Sequence, residues 1–256
     1  VLDRSGSMDN NGLTQPLKNA VETITDTILT KEHPNNKMAA ISFSSMDYIN
    51  EGNIGSGWGS EWNSGDITTS WVNYQNKNSL TNTVNRMNAL GGTNWQYAMQ
   101  RADEKLSEQA IKNDNNRKYV IFISDGSPTF RFDENGEETG DGNATYDSYR
   151  VAAVEEAVES ANLKNAYIYS MYLTNGTADS MKTFSRELDA AGLYSSWIDG
   201  TGDISTALDD IVSQIMAPVY KNVVIIDTLS DYVQLKENPN YKVTVTKANG
   251  FTATLE

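Results

Sequence analysis

Val1-Leu2-Asp3-Arg4-Ser5-Gly6-Ser7 opens the chain with two apolar residues, then sets one carboxylate and two hydroxyls at alternate positions. In the extended tail of a strand, side chains at i, i+2 and i+4 share one side, so Asp3, Ser5 and Ser7 can converge on one point. Hard oxygen donors gathered in this way suit Mg²⁺, Mn²⁺ or Ca²⁺ and not a soft metal. Asp and Ser are also ordinary turn and helix-cap residues, so the triplet alone reads equally as a capped strand-to-helix junction. Two apolar residues are too few for a buried strand of about 5 to 6, and the stretch is expected to be the end of a longer one.

Two further stretches add to the first. Gly91-Gly92-Thr93-Asn94-Trp95 places a Thr at the mouth of a helix, and Val120-Ile121-Phe122-Ile123-Ser124-Asp125-Gly126 ends a strongly apolar strand on an Asp. In this order the three stretches resemble the von Willebrand factor type A (VWA) domain, whose metal-ion-dependent adhesion site follows the pattern D-x-S-x-S, then Thr, then Asp. The resemblance covers about residues 1 to 216. It implies that Ser5 and Ser7 bind one divalent cation directly, that Asp3 and Asp125 bind it directly or through water, and that Thr93 joins when the site closes on a ligand. Mg²⁺ is the expected ion, with Mn²⁺ or Ca²⁺ as alternatives. The ligand is expected to be a protein whose Asp or Glu supplies a further oxygen.

Composition narrows the function classes. The formal charge of -14 argues against nucleic acid or an anionic membrane surface as a partner, since both call for basic patches, and it suits a cation site. Zero Cys removes disulfides, thiolate catalysis and zinc-thiolate sites. The single His, His33 beside Pro34, reads as a solvated loop residue and leaves no histidine-based catalysis. No apolar run approaches the roughly 20 residues of a membrane span. A metal hydrolase would need a general base at the open position or a second metal, and no residue is pinned there; Asp9 reads more simply as a turn residue. The chain is therefore expected not to be an enzyme.

Beyond the first loop, apolar periodicity predicts helices over about residues 14–31, 79–90, 94–107, 149–162, 180–191 and 203–216, and strands over 38–43, 67–74, 118–123, 166–173 and 195–198. This alternation predicts a doubly wound α/β fold, Rossmann-like, with a mostly parallel six-stranded sheet covered by helices on both faces. Asp3 and Asp125 would sit at the carboxyl ends of neighbouring strands, where strand order reverses and ligands bind. From Pro218 the text changes to short strands and turns, so residues 1–217 are expected to be the VWA domain and residues 218–256 part of an Ig-like or Cna-B-like β-sandwich module.

Two insertions depart from a minimal domain. Residues 44–66 carry several glycines with Trp58 and Trp62, and read as a hairpin tip overhanging the site, its tryptophans either contacting the ligand or packing a small core of their own. Residues 127–146 contain Asp133, Glu134, Glu137, Glu138 and Asp141, and read as a solvated acidic loop whose spacing does not fit a Ca²⁺-binding loop. The whole suggests an adhesion domain of a bacterial cell-surface, cell-wall or pilus protein, similar to Gram-positive pilus-tip adhesins, with a host matrix or cell-surface protein as partner. The rivals are a subunit of an intracellular chelatase-type ATPase complex, and a structural pilus subunit with a vestigial metal site.

Overall fold

The computed structural model describes residues 1–45, 66–112, 114, 116–216, 243–246 and 252–255. The chain divides into two compact units, Val1–Ala217 and Pro218–Glu256. The first is built on a parallel sheet of five strands: β1 (Leu2–Asp3), β2 (Ser42–Phe43), β3 (Lys118–Ser124), β6 (Ala166–Tyr172) and β7 (Tyr194–Asp199), in the order β2-β1-β3-β6-β7. β4 (Phe130–Phe132) and β5 (Glu138–Gly140) lie between β3 and β6 in sequence and pair with each other. Strand order reverses between β1 and β3, whose register places Leu2 against Ile123.

Among the described residues, the α-helices of this unit are α1 (Gly6–Asn10), α2 (Thr14–Ile28), α3 (Asn78–Val84), α4 (Trp95–Ser107), α5 (Gln109–Lys112), α6 (Asp147–Glu159), α7 (Asn175–Ala190) and α8 (Ile204–Met216). Alternation along the strands sends neighbouring side chains to opposite faces. Ile123 and Met171 meet Leu17, Val21 and Ile24 of α2 and Leu208 and Ile211 of α8. Phe122 and Ile168 point the other way, toward Trp95 and Met99 of α4, Ala153 and Ala157 of α6, and Phe184 of α7. The Trp95 ring stands edge-on to Phe122 with centroids 5.5 Å apart, and lies 5.4 Å from Phe184, so the helix after Thr93 is fixed directly onto the strand that ends at Asp125.

Three expectations need correction. Among the described residues the sheet has five strands and not six, because residues 67–74 pair with 38–41 only through isolated antiparallel bridges, Met38 to Val72 and Ile41 to Thr68. Side-chain hydroxyls interrupt the ladder there: Ala40 N–H donates to Thr69 Oγ1 at 2.9 Å and Ile67 N–H to Ser42 Oγ at 2.9 Å, in place of carbonyls. The helix expected over 79–90 stops at Val84, and a turn then buries Met87. The acidic loop is a β-hairpin, in which β4 and β5 pair antiparallel with Phe130 opposite Gly140 and Phe132 opposite Glu138. Its turn closes on itself, since Asp133 Oδ1 accepts from Asn135 N–H at 2.8 Å and from Glu137 N–H at 3.0 Å.

In the second unit, Val243–Thr246 (β8) and Thr252–Leu255 (β9) form an antiparallel pair with Val243 opposite Leu255.

Candidate metal centre

The first loop leaves the sheet at Asp3, whose Oδ1 accepts the Ser5 N–H at 2.7 Å and so turns the backbone at once. Met8 is buried and anchors the short helix that follows. The Ser5 and Ser7 hydroxyl oxygens lie 2.9 Å apart. Ser7 Oγ then donates to Asp125 Oδ1 at 2.8 Å, and Asn11 Nδ2 donates to Asp125 Oδ2 at 2.8 Å. Ser124 Oγ donates to Asp3 Oδ2 at 2.5 Å and lies 2.9 Å from the Gly126 carbonyl, so each carboxylate accepts from one serine hydroxyl. The Asp125 carbonyl accepts from Thr174 Oγ1 at 2.7 Å and Thr177 Oγ1 at 2.8 Å, which pins that loop to the start of α7.

The Gly91-Gly92-Thr93 turn closes the third side. Gly6 N–H donates to Gly91 C=O at 2.9 Å, and Leu90 N–H to Arg4 C=O at 2.5 Å. Gly91 has φ +86°, a left-handed conformation that suits Gly, and Gly92 N–H reaches the buried Ser45 Oγ at 3.0 Å. A Cβ placed on Gly126 would lie 3.6 Å from both Ser7 Oγ and Thr93 Oγ1, so these two hydroxyls face one small space. Asp3, Ser5, Ser7, Thr93 and Asp125 therefore surround one locus at the carboxyl ends of β1 and β3. Ser7 alone among them is half-exposed; the other four are buried.

The electrostatics of this locus are unbalanced. Burial, with the neighbouring Asp125 charge as the second cause, pushes the Asp3 carboxyl from 3.8 up to about 7. Burial likewise raises Asp125, against the opposing hydrogen bonds from Asn11 and Ser7. The nearby cation in sequence does not help: Arg4 points its guanidinium to Asp66, Nε to Oδ1 at 2.6 Å, and Arg101 pairs with the other oxygen at 3.0 Å. Two buried carboxylates and three hydroxyls, without a basic partner, fit a hard divalent cation. Among the described residues no three His, Cys, Asp or Glu side chains gather in one place, so any such ion would depend on the hydroxyls to complete its donors.

Sequence reasoning missed Ser124, Asn11, Thr174, Thr177, Ser45 and Thr129, which orient the five rather than belong to the motif. Trp58 and Trp62 lie outside the described residues. The ends of their segment are nevertheless placed: Ser45 touches the Gly91-Gly92 turn, and Asp66 touches Arg4.

Residues 1–185 match the model of the von Willebrand factor type A domain. The chain belongs to the VWA family. None of the curated proteins matches it. Among solved structures, the pilus adhesin SpaC from Lactobacillus rhamnosus GG superposes with TM-score 0.59 at 18% identity, over 84% of this chain and 30% of that one. The PilB minor pilin from Streptococcus sanguinis gives TM-score 0.59 at 14% identity, over 84% of this chain and 60% of that one. The vWF domain of the type V pili tip protein Mfa5 from Porphyromonas gingivalis gives TM-score 0.59 at 12% identity, over 88% of this chain and 96% of that one. These identities establish likeness of fold. This VWA chain spans less than two thirds of the SpaC and PilB chains.

Proposed function

We propose that this VWA domain is a divalent-cation-dependent protein-binding module of a bacterial pilus or cell-surface protein, with Mg²⁺ as its ion and no catalytic role. The observation that carries the reading is the pair of buried, mutually repelling carboxylates, Asp3 and Asp125, ringed by the hydroxyls of Ser5, Ser7 and Thr93 and facing no basic side chain. A bound divalent cation would supply the positive charge that holds a carboxylate of the partner protein. With the ion bound, Asp3, fully buried, and Asp125, braced by Asn11 and Thr177, would hold negative charge on the protein side. Ser7 lies on the open side, where a partner can approach. The pilus adhesin and pilus-tip protein among the structural neighbours support the surface setting, and no helix among the described residues is long and apolar enough to cross a membrane. A Gram-positive, cell-wall setting rests on the sequence resemblance, and a host matrix or cell-surface protein is the partner class it implies.

A second reading, a structural pilus subunit with a vestigial site, is favoured by the likeness to a minor pilin. Calorimetric titration of Mg²⁺, Mn²⁺ and Ca²⁺ separates the two. The binding module should take up one ion, and Asp125→Ala should weaken it by more than about tenfold. A wild-type protein that binds none of the three ions would overturn the cation reading and favour the structural one.

A further inference from the structure

Thr93 owes its place less to its own loop than to the hairpin that follows Asp125. Thr93 N–H donates to Thr129 Oγ1 at 3.0 Å. Its C=O accepts Thr129 N–H at 2.8 Å and Phe130 N–H at 3.1 Å. The grip continues on the next residues: Asn94 Nδ2 donates to Glu138 Oε1 at 2.7 Å, and Phe132 N–H donates to Gln96 Oε1 at 2.9 Å. The Phe130 ring is pressed between two glycines. A Cβ on Gly92 would come within 2.2 Å of that ring, and one on Gly140 within 2.2 Å of the Thr129 carbonyl. Thr93 and Thr129 are both buried, so water cannot replace a lost partner between them.

We propose that Thr129 is a positioning residue for the cation site, holding the Thr93 hydroxyl beside Ser7 and Gly126 by gripping the Thr93 main chain on both its N–H and its C=O. This rests on the cation reading above. Groups that orient metal ligands without touching the ion typically set affinity by about 10- to 100-fold. Replacing Thr129 by Val keeps the shape and the main-chain bond but removes the acceptor for the Thr93 N–H.

The test uses the full chain with Mn²⁺ as probe and acetate as the carboxylate on which the site closes and Thr93 joins the ion, with affinity measured by calorimetry and folding by circular dichroism. Thr129→Val should bind Mn²⁺ about 10- to 100-fold more weakly than wild type, and Thr129→Ser, which keeps the acceptor, should bind close to wild type. Thr93→Ala should weaken binding, and adding Thr129→Val to it should weaken it no further, because Thr129 acts only through the Thr93 hydroxyl. A Thr129→Val protein that binds like wild type, or a Thr129→Val loss that persists undiminished without the Thr93 hydroxyl, overturns this role while leaving the cation site standing. Absence of Mn²⁺ binding in the wild type overturns both. If Thr129→Val does not fold, Thr129→Ala removes the same acceptor and carries the same expectations.

Discussion

Asp3 combines a fully buried carboxyl, a second carboxylate nearby and a pKa displaced from 3.8 to about 7, and this fixes how pH acts on the site. Below about pH 4 the group is protonated in both folded and unfolded chains and costs nothing. As pH rises toward 7 the unfolded chain loses the proton while the folded chain keeps it, so this group takes stability away across that window and its penalty is complete above it. A cation that requires the ionised form reverses the trend. The gain in Tm on adding Mg²⁺ should therefore be small at about pH 5 and much larger at about pH 8. Thermal melts with and without the ion at the two pH values check this; an equal gain at both would show that Asp3 does not exchange its proton for the cation. The residues of this locus were legible to very different degrees. Asp3, Ser5 and Ser7 declare themselves through their D-x-S-x-S spacing, but the strand-end alternation expected to gather them does not apply: β1 ends at Asp3, and a turn into the helix Gly6–Asn10 brings Ser7 round. Ser124 and Thr129 left no such trace, since a hydroxyl bonding across loops obeys no periodicity.

At the scale of elements, the apolar periods of the central strand and of the helix after Thr93 read correctly, whereas the period over 79–90 outran its helix, which stops at Val84, and the expected strand at 67–74 failed where side chains replace main-chain partners. The buried strand Lys118–Ser124 and the helix Trp95–Ser107 follow from their apolar spacing alone. The segment 67–74 kept a strand's alternation, but Thr69 and Ser42 hydroxyls took ladder positions that a sixth strand would need. The hairpin Phe130–Gly140 was hidden by its charge: five acidic residues in 133–141 suggest a solvated loop, whereas the Phe130 ring packs against Gly92 and Phe132 N–H donates to Gln96, both beside Thr93. Gly140 has φ +150° and no room for a Cβ, being 2.2 Å from the Thr129 carbonyl, while Gly136 at the hairpin turn has φ +82° and nothing within 4 Å. Gly140→Ala should thus lose about 1 to 3 kcal/mol or more from overpacking on top of backbone strain, and Gly136→Ala only the smaller strain cost. Urea denaturation midpoints decide it; equal losses would mean that Gly140 is not packed tightly against Thr129 and Phe130.

At the scale of the whole molecule, two apolar layers hold the sheet independently of the polar loops at its carboxyl end, so the loops can vary in length without disturbing the core. Residues 46–65 lie outside the described residues, and the residues on either side of them are fixed at the candidate site: Ser45 Oγ accepts from Gly92 N–H at 3.0 Å, and the Asp66 carboxylate is buried between Arg4 and Arg101. A lone cation can recognise a carboxylate but cannot distinguish one acidic protein from another, so selectivity has to come from the surface around it. Large aromatic anchors dominate such surfaces, often at about 2 kcal/mol or more each, and Trp58 and Trp62 lie within this segment. Replacing residues 46–65 by a short Gly/Ser linker, with Ser45 and Asp66 retained, should leave Mn²⁺ affinity within a few fold of wild type. It should also abolish Mg²⁺-dependent, chelator-sensitive retention on a panel of immobilised extracellular-matrix proteins. Retention that survives the replacement would take selectivity away from this segment and move it to the hairpin after Asp125. Loss of Mn²⁺ affinity as well would instead mean that the segment holds the Gly91-Gly92-Thr93 turn in place through its anchors, making it part of the cation site.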